Sequence, residues 1–318
     1  MMLRALGSLL FYGRFLRSFS ALGFDRRAAD WAPFAPDFSG QRWLVTGATG
    51  GIGRAVTLAA NRHGATVLAL ARDRRKLEAL KKDAEHPERI RPVAVDMAAI
   101  AEVRALAEQP DIGAGPIDVL VNNVGVLLND FQLTDEGLEA SFATNLLGPF
   151  VLTQTLRDND LLSTDGIVIN VSSGGMYGTP LKLAEMDCRH ADDYDGMAAY
   201  ATHKRAQVEL VRYWNETWAG RPTAQVMHPG WVDTEGVRTA LPGFRAVLKR
   251  ILRNAEQGAD AILWLAEQRP PVPGDGGIWL DRELQPEHEF AFTRKSRHDA
   301  RDLADFLHRC ADRVDPDR

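Results

Sequence analysis

Only two cysteines, Cys188 and Cys310, occur in 318 residues, and their placement suits neither a disulfide framework nor a metal-binding pair. So little thiol points to a reducing compartment, and the expected location is the cytoplasm. No metal is expected either, because the acidic cluster Asp192-Asp193-Tyr194-Asp195-Gly196 lacks the spacing of a calcium loop. Positive charge is also scarce. Lys and Arg number 38 against 43 Asp and Glu, a net charge of −5, which argues against a nucleic-acid partner.

Long apolar runs are missing as well. A membrane-spanning helix needs ~20 apolar residues, and the longest uninterrupted stretch near the N-terminus is Ala5 to Gly13, with Arg4 before it and Arg14 and Arg17 after. Arginines on both sides also spoil a signal-peptide reading. Residues 1–23 read instead as an amphipathic helix that packs on the chain's own domain or, as the lesser alternative, makes peripheral contact with a membrane surface. Internal repeats and low-complexity segments are absent. The length suits one large α/β domain with extensions.

What is present is a rhythm. Short apolar runs at Gln41–Thr46, Ala65–Leu70, Ile90–Val95, Ile117–Val121, Gly166–Val171, Ala224–Met227 and Ile278–Leu280 read as strands, most of them separated by helical stretches. Continuous rather than alternating apolar strands imply a parallel sheet covered on both faces. Right-handed crossovers then give an α/β, Rossmann-type doubly wound parallel sheet. The expected division is a helical extension (1–40), a dinucleotide-binding domain (41–281) and a C-terminal extension (282–318), whose last residues are expected to be mobile.

Between the first strand and the first helix after it stands Thr46-Gly47-Ala48-Thr49-Gly50-Gly51-Ile52-Gly53. Glycines there permit a tight turn and close approach of backbone to a pyrophosphate, and the helix start offers free N–H groups to it. Two spacings coexist: Gly47, Gly51 and Gly53 fit GxxxGxG, while Gly47, Gly50 and Gly53 fit GxxGxxG. Arg72 stands at the tip of the second strand, where an acid would bind a ribose 2′-OH and an arginine a 2′-phosphate, so NADP(H) is favoured over NAD(H). Asp73 reads as the N-cap of the helix after it. Asp96, after the third strand, is placed to meet the adenine or to cap the next helix.

Of the five tyrosines, only Tyr200 is followed by a lysine four residues later, Lys204, so the two share a helix face. A nearby ammonium favours the phenolate and moves Tyr200 toward the range useful for proton transfer. Ser172 and Ser173 end the fifth strand, where a hydroxyl can hold a substrate oxygen.

Val121-Asn122-Asn123-Val124-Gly125, with Val124 as the one departure, is similar to the NNAG motif of the short-chain dehydrogenase/reductase family. The resemblance continues through Asn145, Val171-Ser172-Ser173, Tyr200 to Lys204 and Pro229-Gly230-Trp231-Val232-Asp233-Thr234, over residues 41–280. Within the family, VSSGGM, MHPGWVDTEGV, ALPGF and EQGADAILWLA point to a narrower likeness. The resemblance favours the GxxxGxG spacing and prefers Ser173 to Ser172. It implies a catalytic set of Asn145, Ser173, Tyr200 and Lys204, with Asn145 stabilising a helix distortion in the proton relay. It also implies cofactor contacts at Gly47, Thr49, Gly51, Ile52, Gly53, Asn123 and Gly125, at Lys204 through the nicotinamide ribose, at Tyr200, and at Val232 and Thr234 through the carboxamide. The implied activity is hydride transfer between a carbonyl and an alcohol on a small-molecule substrate. A homodimer is a further implication, one the N-terminal extension can block. The alternative is a non-catalytic NADP(H) sensor or scaffold, for which a Tyr–Lys pair has no use. Trp231, Val237, Leu241, Phe244, Val247 and Leu248 read as a lid and favour an apolar substrate.

Overall fold

The computed structural model describes residues 13–188, 190–274 and 276–314. Seven of its strands fall where the apolar runs predict them: β1 (Arg42–Thr46), β2 (Thr66–Ala71), β3 (Ile90–Ala94), β4 (Ile117–Asn122), β5 (Leu162–Val171), β6 (Thr223–Met227) and β7 (Ile278–Leu280). They lie in the order β3-β2-β1-β4-β5-β6-β7, all parallel. An eighth strand, β8 (Glu283–Gln285), adds to β7 antiparallel and carries no apolar run to announce it. Strand order reverses between β1 and β4, and this is where a doubly wound sheet opens a crevice at its carboxyl ends.

The strands are buried on both faces and feed two separate cores. One contains Leu77 and Leu80 of α3 (Arg74–Asp83), Val56 of α2 (Gly51–Arg62) and Ile262 and Leu265 of α9 (Ala255–Gln268). The other gathers α4 (Ile100–Arg104), α5 (Gly148–Asp158), α6 (Gly196–Thr217) and α10 (Ala300–Asp312). Two short helices, α7 (Glu235–Ala240) and α8 (Pro242–Leu248), follow β6.

Both extensions join the second core. Residues 13–19 are helical and α1 (Ala21–Ala28) follows; Phe15 and Phe19 are each 2% exposed and stack at 4.4 Å. Residues 13–23 therefore pack on the chain's own domain, while the run Ala5–Gly13 lies, but for Gly13, outside the described residues. At the other end Leu303, Leu307 and Cys310 of α10 are buried, so the charged composition of the tail conceals an amphipathic helix. Of the last residues, 315–318 lie outside the described ones. Among those described, no helix is long and apolar enough to cross a membrane.

Candidate active site

The loop between β1 and α2 needs glycine at three positions. Gly47 and Gly51 have φ of +67° and +49°, in the left-handed region that side chains avoid. At Gly53 a Cβ would lie 2.2 Å from the Gly47 carbonyl oxygen. Gly50, by contrast, has φ −146° and open space around it. The backbone thus selects GxxxGxG, because position 50 tolerates a side chain. No side chain caps α2, so its first N–H groups face the cradle, the arrangement that suits a phosphate anion. Asn123 holds this loop to β4: its backbone N–H donates to Thr46 Oγ1 at 3.0 Å and its Nδ2 to the Thr46 carbonyl at 2.9 Å.

Arg72 and Asp96 stand together at the tips of β2 and β3, 3.7 Å apart, with the arginine side chain 71% exposed. Asp73 caps α3 through the N–H groups of Arg75 and Lys76. Asp96 also accepts from the Ala98 N–H at 2.9 Å, so it caps its own turn while facing Arg72.

Asp195 caps α6, whose first turns bring Tyr200 to a cavity of about 850 Å³. Ser173 lines the same cavity, close enough to the Tyr200 hydroxyl to favour its ionised form. Ser172 also borders it, but its hydroxyl donates to the Lys204 carbonyl at 2.7 Å, so its geometry is structural. Asn145 sits in a π-helical turn (Ala143–Leu147), where its side chain donates to and accepts from the Val126 backbone at 2.8 and 2.7 Å. A π turn is the kind of helix distortion the resemblance implies at this residue.

One expectation fails. Burial pushes the Tyr200 hydroxyl above its ordinary value, and Ser173 pulls the other way; Lys204 does not lower it. The lysine nitrogen lies 5.7 Å from the Tyr200 ring centre and donates to the Val171 carbonyl at 2.8 Å and to Gln207 Oε1 at 3.2 Å. Burial brings Lys204 itself down to about 7. A folded value below the unfolded one means that the buried ammonium costs stability below pH 7. That cost fades as pH rises toward the unfolded value of about 10.4. Lys204→Met is accordingly expected to stabilise the fold, by about 2 kcal/mol at pH 6 after allowing for the two lost hydrogen bonds, and by less at pH 9. Thermal unfolding at the two pH values checks it.

Gln207 carries no motif, yet it bridges Lys204 and Asn145, its Nε2 donating to the Asn145 carbonyl at 2.8 Å. Its position three residues after Lys204, on the same helix face, is the signal that points to it. A Cβ at Gly125 would lie only 3.3 Å from Lys204 Nζ, so glycine leaves room for that buried nitrogen.

Trp231, Val237, Leu241 and Phe244 line the cavity with Ile52, Val232 and Thr234. Val247 does not belong with them, since it is 82% exposed on α8, and Leu248 is not among the lining residues. The cavity also takes Phe290 and Phe292 from the C-terminal segment, where the surrounding charge gave no hint of an active-site wall.

Comparison with known proteins gives the same picture. Residues 41–184 match the family model for short chain dehydrogenase. The chain is 34% identical to Dehydrogenase/reductase SDR family member 12 of Bos taurus over 96% of this chain and 98% of that one; the narrower likeness read from segments such as MHPGWVDTEGV is to this relative. A solved structure of an uncharacterised protein from Mycobacterium Paratuberculosis aligns with a TM-score of 0.66 at 27% identity, covering 90% of this chain and 96% of that one. A blue fluorescent protein from a metagenomic library, solved in complex with NADPH, aligns with a TM-score of 0.58 at 26% identity over 73% and 92%.

Proposed function

Because the chain belongs to the short-chain dehydrogenase/reductase family and is thereby an oxidoreductase, we propose that it interconverts an apolar carbonyl and its alcohol with NADP(H), using Tyr200 as general acid and base. The observation that carries this reading is the meeting of Ser173 and Tyr200 on one cavity wall, with Lys204 behind the tyrosine. The turn of Gly47, Gly51 and Gly53 suits a dinucleotide pyrophosphate: the first two take positive φ, a Cβ at position 53 would strike the Gly47 carbonyl, and the helix start beside them carries no side-chain cap. A nicotinamide cofactor supplies or accepts the hydride when bound.

The chain supplies position and proton. Ser173 donates to the substrate oxygen, where negative charge develops. In reduction Tyr200 gives that oxygen its phenolic proton, and in oxidation it takes the proton back. Lys204 lies behind the Tyr200 ring and is joined through Gln207 to the Asn145 carbonyl. Apolar walls from Ile52, Val232 and the lid keep water from the reacting centre.

Arg72 is the basis for preferring NADP(H). Titration with NADPH and NADH tests it: NADPH is expected to bind more tightly, and Arg72→Ala to weaken NADPH about 10-fold with little effect on NADH. Equal affinity of the wild type for both nucleotides would remove the preference. Absence of binding by either would remove the whole reading, and nucleotide binding without turnover of any carbonyl would favour a sensor.

A further inference from the structure

Phe290 and Phe292 reach the cavity from outside the part of the chain that matches the family model. They ride on a strap, residues 286–296, tied down along its length. Tyr177 donates its hydroxyl proton to the Pro286 carbonyl at 2.9 Å, and Arg205 Nη1 donates to the Glu287 carbonyl at 2.9 Å. The Glu287 carboxylate accepts from Arg212 at 2.7 Å and from the Gly277 N–H at 2.9 Å. At the other end Ser296 donates to the Leu181 carbonyl at 3.1 Å.

So held, the two rings lie nearly parallel, 5.8 Å apart at 17°. Phe15 of the N-terminal helix meets Phe290 edge-on at 6.3 Å and 89°, and is itself stacked on Phe19. Phe292 is half exposed, whereas Phe290 is more enclosed. On the lid, Trp231 and Phe244 pack edge to face at 5.4 Å. Aliphatic side chains would serve if burial of apolar area were all the cavity had to offer. Fixed aromatic faces add a preference for flat π systems beyond the area they bury.

Resting on the oxidoreductase reading above, we propose that Phe290 and Phe292 are specificity-determining residues that select aryl or polycyclic carbonyl compounds over linear aliphatic ones of similar size. An aryl ring gains contact with both the strap and the lid. A linear chain must in addition give up rotational freedom to fit between fixed rings.

The test uses the full chain with NADP+ present and two ketones of equal carbon number, 2-acetylnaphthalene and 2-dodecanone. Equilibrium dialysis is expected to show tighter binding of the naphthyl ketone by the wild type. Phe290→Leu and Phe292→Leu, which keep apolar bulk, are expected each to reduce the ratio of the two affinities by about 3- to 10-fold. A wild type that prefers 2-dodecanone, or a ratio that neither variant moves, overturns the proposal. Turnover of the same ketones with NADPH is followed in parallel. Selective binding without turnover supports the aromatic wall and counts against carbonyl reduction. Turnover with an unmoved ratio does the reverse.

Discussion

Tyr200→Phe is expected to lower kcat by roughly 10²–10⁴-fold while leaving NADPH affinity within about threefold of the wild type. The substitution removes one oxygen and keeps the ring that Lys204 faces at 5.7 Å, so loss of rate cannot be assigned to loss of packing. Among the described residues no other tyrosine lines the cavity. Tyr177 is buried with its hydroxyl committed to the Pro286 carbonyl, and Tyr194 donates to the Leu128 carbonyl at 3.1 Å. Ser173 remains, but an aliphatic hydroxyl is a far weaker acid than a phenol. Burial holds Tyr200 above its ordinary value, so the protonated form that reduction needs dominates at neutral pH. Oxidation, which needs the phenolate, is expected to speed up as pH rises toward that raised value. Rates in both directions across pH, for wild type and variant, check the argument. A variant within tenfold of the wild type would place the proton donor elsewhere.

Much of this site is legible in the sequence because its parts are local. A glycine loop is set by three backbone positions within seven residues, and the Tyr200–Lys204 pair by helix periodicity. Strands β1 to β7 announce themselves because a strand covered on both faces must be apolar throughout. The unread parts are those whose partners are distant. β8 offers only Glu283, Leu284 and Gln285, and the turn before it places Asp281 and Arg282 at positive φ, 51° and 65°, without a glycine to signal it. Phe290 and Phe292 stand among charged neighbours that read as a solvated tail. Local chemistry also misjudged Tyr200: the lysine beside it in the helix is too buried to act as the simple counter-charge that spacing suggests.

Long-range pairing matters most at Asp281, and Asp281→Asn is expected to cost about 3–5 kcal/mol of stability, a large share of the ~5–15 kcal/mol typical of a folded domain. The carboxylate is 2% exposed and lies against two arginines. Arg253, whose side chain is wholly buried, donates to it from both terminal nitrogens, 2.7 Å from Nη2, and Arg27 Nε donates at 2.9 Å. Burial pulls the Arg253 guanidinium down and Asp281 holds it up, so removal of the negative charge leaves a buried cation without its anion. Asparagine is the informative substitution because it tolerates the positive φ at this position, where alanine would add backbone strain to the loss of charge. Arg253 also donates to the carbonyls of Ser18 at 2.9 Å and Pro229 at 3.1 Å, and its backbone N–H to the Trp231 carbonyl at 2.8 Å. The same side chain therefore fastens the N-terminal segment to the loop that lines the cavity. Hydrogen exchange in residues 13–28 is expected to quicken in Asp281→Asn before exchange in the sheet does, and KM to rise with it. Arg27→Ala is the control, since that arginine is 20% exposed and its loss leaves Asp281 paired with Arg253; its expected cost is about 1 kcal/mol. Equal falls in thermal midpoint for the two variants would show that the stability does not reside in the buried Arg253–Asp281 contact.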